Sequence, residues 1–264
     1  MEAAAGRGLW LAMLMMIMVM SGKGEAQLSE SFYNSSCPNV ESIVHRAVAK
    51  KANQTFVTIP GTLRLFFHDC FCQAGGPSFK VELGRRDGLI SKASLVAGRL
   101  PEPFFNLSQL NALFAKNNLS QFDMIALSGA HTIGFSHCDN FANRLYNFSN
   151  SSQVDPSLNA TFAKQLVQDC PQNVDPQRVI RLDDVTPFAF DNAYYQDLVG
   201  GKGVLTSDEV LFTDPASQPT VRDFASNPGA FNRAFATAMR KLGRVGVLTG
   251  SEGQIRKDCT AFNS

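Results

Sequence analysis

The chain has 264 residues, 44% of them hydrophobic, enough for one large domain or two small ones with a substantial core, and general disorder is excluded. Its 24 Lys and Arg residues nearly balance 23 Asp and Glu, so no basic field points to nucleic acid or to an acidic membrane surface. Phenylalanine occurs 21 times against one Trp and four Tyr, a bias that suits tight helix packing or a cavity for a flat apolar ligand; composition does not choose between them.

In chain order, the first feature is an unbroken apolar run from Leu9 to Met20, preceded by Arg7 and followed by the small and polar stretch Ser21 to Ala26. A bilayer span needs about 20 residues, so the run and its flanks instead match a secretory signal peptide over residues 1–26, with Gln27 opening the mature chain. Secretion agrees with seven Asn-x-Ser/Thr sequons, at Asn34, Asn53, Asn106, Asn118, Asn147, Asn150 and Asn159, and predicts a glycoprotein. Cys37, Cys70, Cys72, Cys138, Cys170 and Cys259 are then potential disulfide partners in an oxidising compartment.

Val40, Ile43, Val44, Ala47 and Val48 recur at helical spacing after Pro38, with Asn39 placed to cap the start. A second helix is expected over about 59–71, carrying Leu63, Phe66 and Phe67. Gly75, Gly76 and Pro77 break the chain, Phe79 to Leu83 alternates like a short extended segment, and Pro101 and Pro103 punctuate the next loop. Helices are expected again over 106–115, over 120–128 with Ser120 and Asp123 forming a capping box, and over 133–148, 156–168, 192–199, 215–224 and 227–242. The pattern describes one mainly helical domain over 27–264.

Four histidines can be weighed singly. His45 falls on the polar side of its helix and reads as a surface residue; His137, beside Cys138, reads as structural. Arg64 and His68 are four residues apart in Leu-Arg-Leu-Phe-Phe-His-Asp-Cys-Phe, which places both on one face of an otherwise apolar helix. A neutral imidazole there can take a proton from a hydroperoxide and return it to the departing oxygen, and the guanidinium can stabilise charge as the oxygen-oxygen bond breaks. The plainer alternative is an Arg and a His sharing a helix face near the surface. His131 sits in Ala-Leu-Ser-Gly-Ala-His-Thr-Ile-Gly, where small neighbours would let a flat macrocycle approach. It can ligate iron through one nitrogen and donate its other proton to a carboxylate; a buried histidine bonded to backbone is the alternative. Zinc held by His68, Cys70, Cys72 and either Cys138 or His137 is disfavoured, because Cys-x-Cys strains the usual ligand spacing.

Residues 63–71, 126–138 and 188–195 together resemble the secretory plant haem peroxidases, the class III group. The resemblance implies a multi-helix haem peroxidase fold and a secreted enzyme of cell wall, apoplast or vacuole. It would act as a monomer on hydrogen peroxide and phenolic donors with haem b and calcium, without nucleic acid or a membrane span. Arg64 and His68 match the distal arginine and acid-base histidine, and Phe67 the aromatic between them. His131 matches the iron ligand, Asp208 the carboxylate that receives its second proton, and Pro101 the loop proline beside the aromatic donor. Thr132, Asp183, Thr186 and Asp191 match the proximal calcium ligands, with Ala189 contributing its carbonyl, and Asp69 one distal calcium ligand; hard oxygen donors suit this ion. Cys138 and Cys170 match a family disulfide, whereas Cys37, Cys70 and Cys259 have lost their family partners.

The chain departs from the family between Phe71 and Gly75, where only Cys72, Gln73 and Ala74 stand in place of a long internal block. The missing block would leave the fold incomplete on the distal side, remove the second calcium site and take away the asparagine that orients His68. An alternative reading follows: a catalytically impaired secreted glycoprotein of peroxidase lineage, either a weak haem binder or an unstable product.

Overall fold

The computed structural model describes residues 28–55 and 76–263. Helix α1 (Val40–Ala52) follows Pro38 as expected, although Asn39 makes no side-chain cap and no residue of the helix is buried. The extended segment expected over 79–83 forms no strand beyond a single bridge between Leu83 and Ser29, and the next residues reach far along the chain: Arg86 bridges Leu248 and Asp87 bridges Gln254.

Two capped helices follow. In α2 (Leu107–Ala115) the Asn106 side chain accepts from Gln109 N–H while the Gln109 side chain accepts from Asn106 N–H. In α3 (Gln121–Ser128) Ser120 and Asp123 make the same reciprocal pair, and Lys241 Nζ adds an ion pair to Asp123 at 2.7 Å. These caps satisfy amide groups that a helix start leaves unpaired. A 3₁₀ turn (Gly129–Thr132) continues from α3.

The helix expected over 133–148 does not form. Gly134, at φ 112°, turns the chain into strand β1 (Phe135–His137), which pairs antiparallel with β2 (Val179–Arg181), and a 3₁₀ turn (Cys138–Asn140) then leads to α4 (Ala142–Leu145), the one α-helical piece of the stretch. A residue with a Cβ is strained at that φ, so the glycine reads as a turn residue. His137 consequently lies exposed on β1. The remaining helices are α5 (Ala160–Asp169), α6 (Ala193–Val199), α7 (Thr206–Thr213), α8 (Gln218–Ser226) and α9 (Pro228–Leu242). Helix α5 starts four residues after Pro156, where Asn159 caps it, and α7 has no counterpart among the expected helices.

The buried side chains form two clusters. The larger joins α2, α3, α6, α8 and α9 through Leu110, Met124, Ile125, Tyr195, Phe224 and Phe231, all fully buried or nearly so. The smaller joins Phe141 and Leu145 to Phe162 and Leu166 beneath the Cys138–Cys170 disulfide. Helix α7 spans both, because Val204 and Leu205 at its entry belong to the smaller cluster and Leu211 to the larger. The aromatic bias is thus spent in part on packing: Phe190 stacks on Phe231 at 5.4 Å, and Tyr195 meets Phe231 edge-on at 5.0 Å.

A candidate haem-ligand pair beside an oxygen cluster

His131 is positioned by the 3₁₀ turn that ends α3. Its Nδ1 lies 2.8 Å from Asp208 Oδ1, across 77 residues of sequence. Asp208 sits in the first turn of α7, where the helix dipole favours a carboxylate, and is 2% exposed. With a carboxylate as acceptor, the imidazole proton sits on Nδ1 and the Nε2 lone pair is free. The His131 side chain is 38% exposed, so it is open on one side although protein surrounds the rest. Burial by itself lowers the His131 pKa, but the charge and hydrogen bond of Asp208 outweigh it and the net shift is upward. The same Asp208 oxygen accepts a second hydrogen bond, from the Tyr194 hydroxyl at 2.8 Å.

Gly129 has a different reason to be small from the approach of a flat ligand. A Cβ there would meet the Phe231 ring and the Tyr195 hydroxyl at 2.5 Å, so its smallness serves the contact of the 3₁₀ turn with α6 and α9. The Tyr195 hydroxyl in turn donates to the Ile125 carbonyl at 2.8 Å, tying α6 to α3.

Thr132, the residue after His131, belongs to a second cluster. Its Oγ1 donates to Asp183 Oδ2 at 2.9 Å, and Thr186 Oγ1 donates to Asp191 Oδ1 at 3.1 Å. Asp183 is fully buried, and its Oδ1 accepts from the amides of Val185 and Thr186. Among the described residues, no Lys or Arg pairs with Asp183 or Asp191, and no three His, Cys, Asp or Glu side chains gather as a metal site. Two carboxylates and two hydroxyls do converge, and hydroxyl oxygens are ordinary calcium donors. The surplus negative charge is felt nearby: burial, then the charge of Asp183, push Asp197 up to about 6. This donor set fits calcium, and the free Nε2 of His131 fits haem iron.

A buried arginine holds the entry to α7. Arg144 donates from Nε to Asp155 at 2.8 Å, from Nη2 to Ser157 at 3.2 Å, and from Nη1 to the carbonyls of Gly203, Val204 and Leu205. Glu209, one residue past Asp208, accepts from Gly203 N–H at 2.8 Å. Sequence reasoning missed Arg144, Glu209 and Tyr194. The available signal was a lone cation within the apolar stretch Phe141 to Leu145, hidden by the helix expected there.

The exposed Pro101 lies in the loop ahead of α2, and the Pro103 carbonyl of that loop accepts from Ser207 N–H beside Asp208. Arg64, Phe67, His68, Asp69, Cys70 and Cys72, with the helix expected over 59–71 and the signal peptide, lie outside the described residues. Cys138 is bonded to Cys170, so it is not a zinc ligand; Cys37 and Cys259 are free thiols. All seven sequon asparagines are exposed, and among the described residues no helix is long and apolar enough to cross a membrane.

The peroxidase family model matches residues 72–227. The chain is 46% identical to Peroxidase 51 of Arabidopsis thaliana over 96% of its length and 97% of the relative's. It is 45% identical to Peroxidase 45 of the same plant, over 94% and 96%, and 37% identical to a peroxidase of Triticum aestivum, over 95% and 97%. The alignment with Peroxidase 51 extends over 320 positions although the chain has 264 residues, so at least 56 of those positions face no residue here. With more than half the chain matched by the family model and identities this high over nearly its whole length, the chain belongs to the secretory plant haem peroxidases, the class III group, and is a peroxidase oxidoreductase.

Proposed function

We propose that this chain holds haem b on His131 Nε2, reduces hydrogen peroxide there and oxidises phenolic donors by one-electron steps. The observation that carries the reading is the 2.8 Å pair of His131 and Asp208, which fixes the imidazole tautomer and leaves the other nitrogen available in a side chain that is 38% exposed. When bound, haem supplies the redox-active iron at which the peroxide is reduced. Asp208 strengthens His131 as a ligand by accepting its Nδ1 proton in a hydrogen bond. His68 takes the proton of the incoming peroxide and returns it to the departing oxygen, while Arg64 stabilises the charge that develops there. Phe67 has the role of the aromatic that the family carries with those two groups, and Pro101 borders the aromatic donor.

Thr132, Asp183, Thr186 and Asp191, with the Ala189 carbonyl, hold one calcium ion, which offsets the buried Asp183 and half-buried Asp191 carboxylates and braces the residue next to His131. Asp69 is left as a residual ligand of a distal site that does not assemble. The family match beginning at residue 72 and the unmatched positions in the alignment support a block missing after Phe71. The chain acts as a monomeric secreted glycoprotein of the cell wall, apoplast or vacuole, after loss of residues 1–26.

His131→Ala should abolish the Soret band of reconstituted protein; a band unchanged in position and intensity would overturn the assignment. General acid-base help is worth ~100 to 10,000-fold and depends on aim. The loaded chain should therefore react with peroxide much more slowly than a version with the block restored, and restoration should raise bound calcium from one ion to two. Equal rates in stopped-flow mixing would show the block to be dispensable. No turnover at all in the loaded chain would instead establish the impaired glycoprotein of peroxidase lineage.

A further inference from the structure

Asp208 Oδ1 serves two donors at once. His131 Nδ1 and the Tyr194 hydroxyl both lie 2.8 Å from it, and their rings meet edge to face with centroids 6.1 Å apart. Tyr194 and Asp208 are each 2% exposed, so bulk water does not screen the arrangement. The neighbouring Tyr195 points elsewhere, to the Ile125 carbonyl, so the shared oxygen belongs to Tyr194 alone of that pair. Burial first, then the negative charge of Asp208, push the Tyr194 phenol well above its usual pKa, which keeps it a proton donor throughout the working range of a protein.

We propose that Tyr194 is a positioning residue for the peroxidase reaction: by donating to the Asp208 oxygen that faces His131, it limits how strongly Asp208 draws on the imidazole proton and so sets the donor strength of the iron ligand. A carboxylate oxygen that already accepts one hydrogen bond carries less charge for a second donor. Removing the phenol therefore strengthens the His131 bond, while removing the carboxylate weakens it. The inference rests on His131 as the iron ligand, and the two can be separated experimentally.

The test uses the full chain. In the haem-free protein, the His131 Nδ1 proton is followed by nuclear magnetic resonance in wild type, Tyr194→Phe, Tyr195→Phe and Asp208→Asn. Tyr194→Phe should move the resonance downfield, Asp208→Asn upfield, and Tyr195→Phe, which also loses one buried hydrogen bond, should leave it in place. In the haem-loaded protein the iron reduction potential should fall in Tyr194→Phe and rise in Asp208→Asn. A role in packing alone predicts the opposite sign, since a loosened Asp208 would weaken its bond to His131. A Tyr194→Phe proton that stays still, or that follows Asp208→Asn, overturns the inference. A Soret band unaffected by His131→Ala overturns the ligand assignment instead, and the haem-free arm still decides the role of Tyr194.

Discussion

Replacing Arg144 with methionine removes the only charge that faces Asp155 at ion-pair distance among the described residues, and does so where both side chains are shut off from water. Asp155 would keep the amide and hydroxyl of Ser157, at 2.9 and 2.7 Å, but its charge would stand uncompensated at 7% exposure. The carbonyls of Gly203, Val204 and Leu205 would lose their cation at the same time. Breaking a buried pair by removing one partner costs about 3–5 kcal/mol, a large part of the 5–15 kcal/mol or so that holds a domain folded. Urea unfolding followed by circular dichroism should show that loss in Arg144→Met. The double variant Arg144→Met, Asp155→Asn should recover part of it, because no charge is then left buried alone. The acid side gives a second reading. Burial raises the Asp155 pKa, but the hydrogen bonds of Ser157 and Arg144 outweigh it and the net shift is downward. Its contribution is present above the ordinary carboxylate range and is lost as pH falls through the lowered value, and Arg144→Met should shrink that acid-dependent part. A single variant within about 1 kcal/mol of wild type, or a double variant no better than the single one, would refute this account of the clamp.

Three further outcomes are expected. Burial, partly opposed by the charge of Arg144 and the Gly203 amide, raises Glu209 from 4.5 to about 7. Its raised pKa contributes stability that is complete below about pH 4.5 and is lost as pH rises through about 7, a swing of roughly 3 kcal/mol. Glu209→Gln keeps an acceptor for Gly203 and should flatten that slope; an unchanged slope would remove Glu209 as its source. The Cys138–Cys170 bridge closes a separation of 32 residues and should contribute ~3 to 4 kcal/mol, lost in the paired serine variant; Cys138 alkylated as a free thiol in a non-reducing peptide map would deny the bridge. Asp183→Asn should lower bound calcium from one ion to none, and an undiminished ion count would place the metal elsewhere.

Local chemistry made much of this protein legible in the sequence. Ser120 caps its helix because a short acceptor followed by helix-forming residues satisfies free amides wherever it occurs, and its capping box with Asp123 needs only three residues of spacing, whereas the Asn39 cap does not form and the Asn159 cap was not foreseen. His131 and Asp208 were found as a pair only through the family resemblance, since nothing in either neighbourhood announces a contact across 77 residues. Tertiary structure decided the rest. Apolar periodicity over 133–148 suits a helix, but Gly134 turns the chain and the disulfide at Cys138 ties it to α5, so backbone geometry and a distant partner overrode the pattern. Helix α7 was hidden because it buries Asp208 and Glu209 where apolar periodicity would place hydrophobic residues, and they are tolerated only where His131, Tyr194 and Gly203 donate to them. The same holds for Arg144: a cation reads as surface until folding brings three carbonyls and a carboxylate around it, and those acceptors come from chain segments that only the packed domain places side by side.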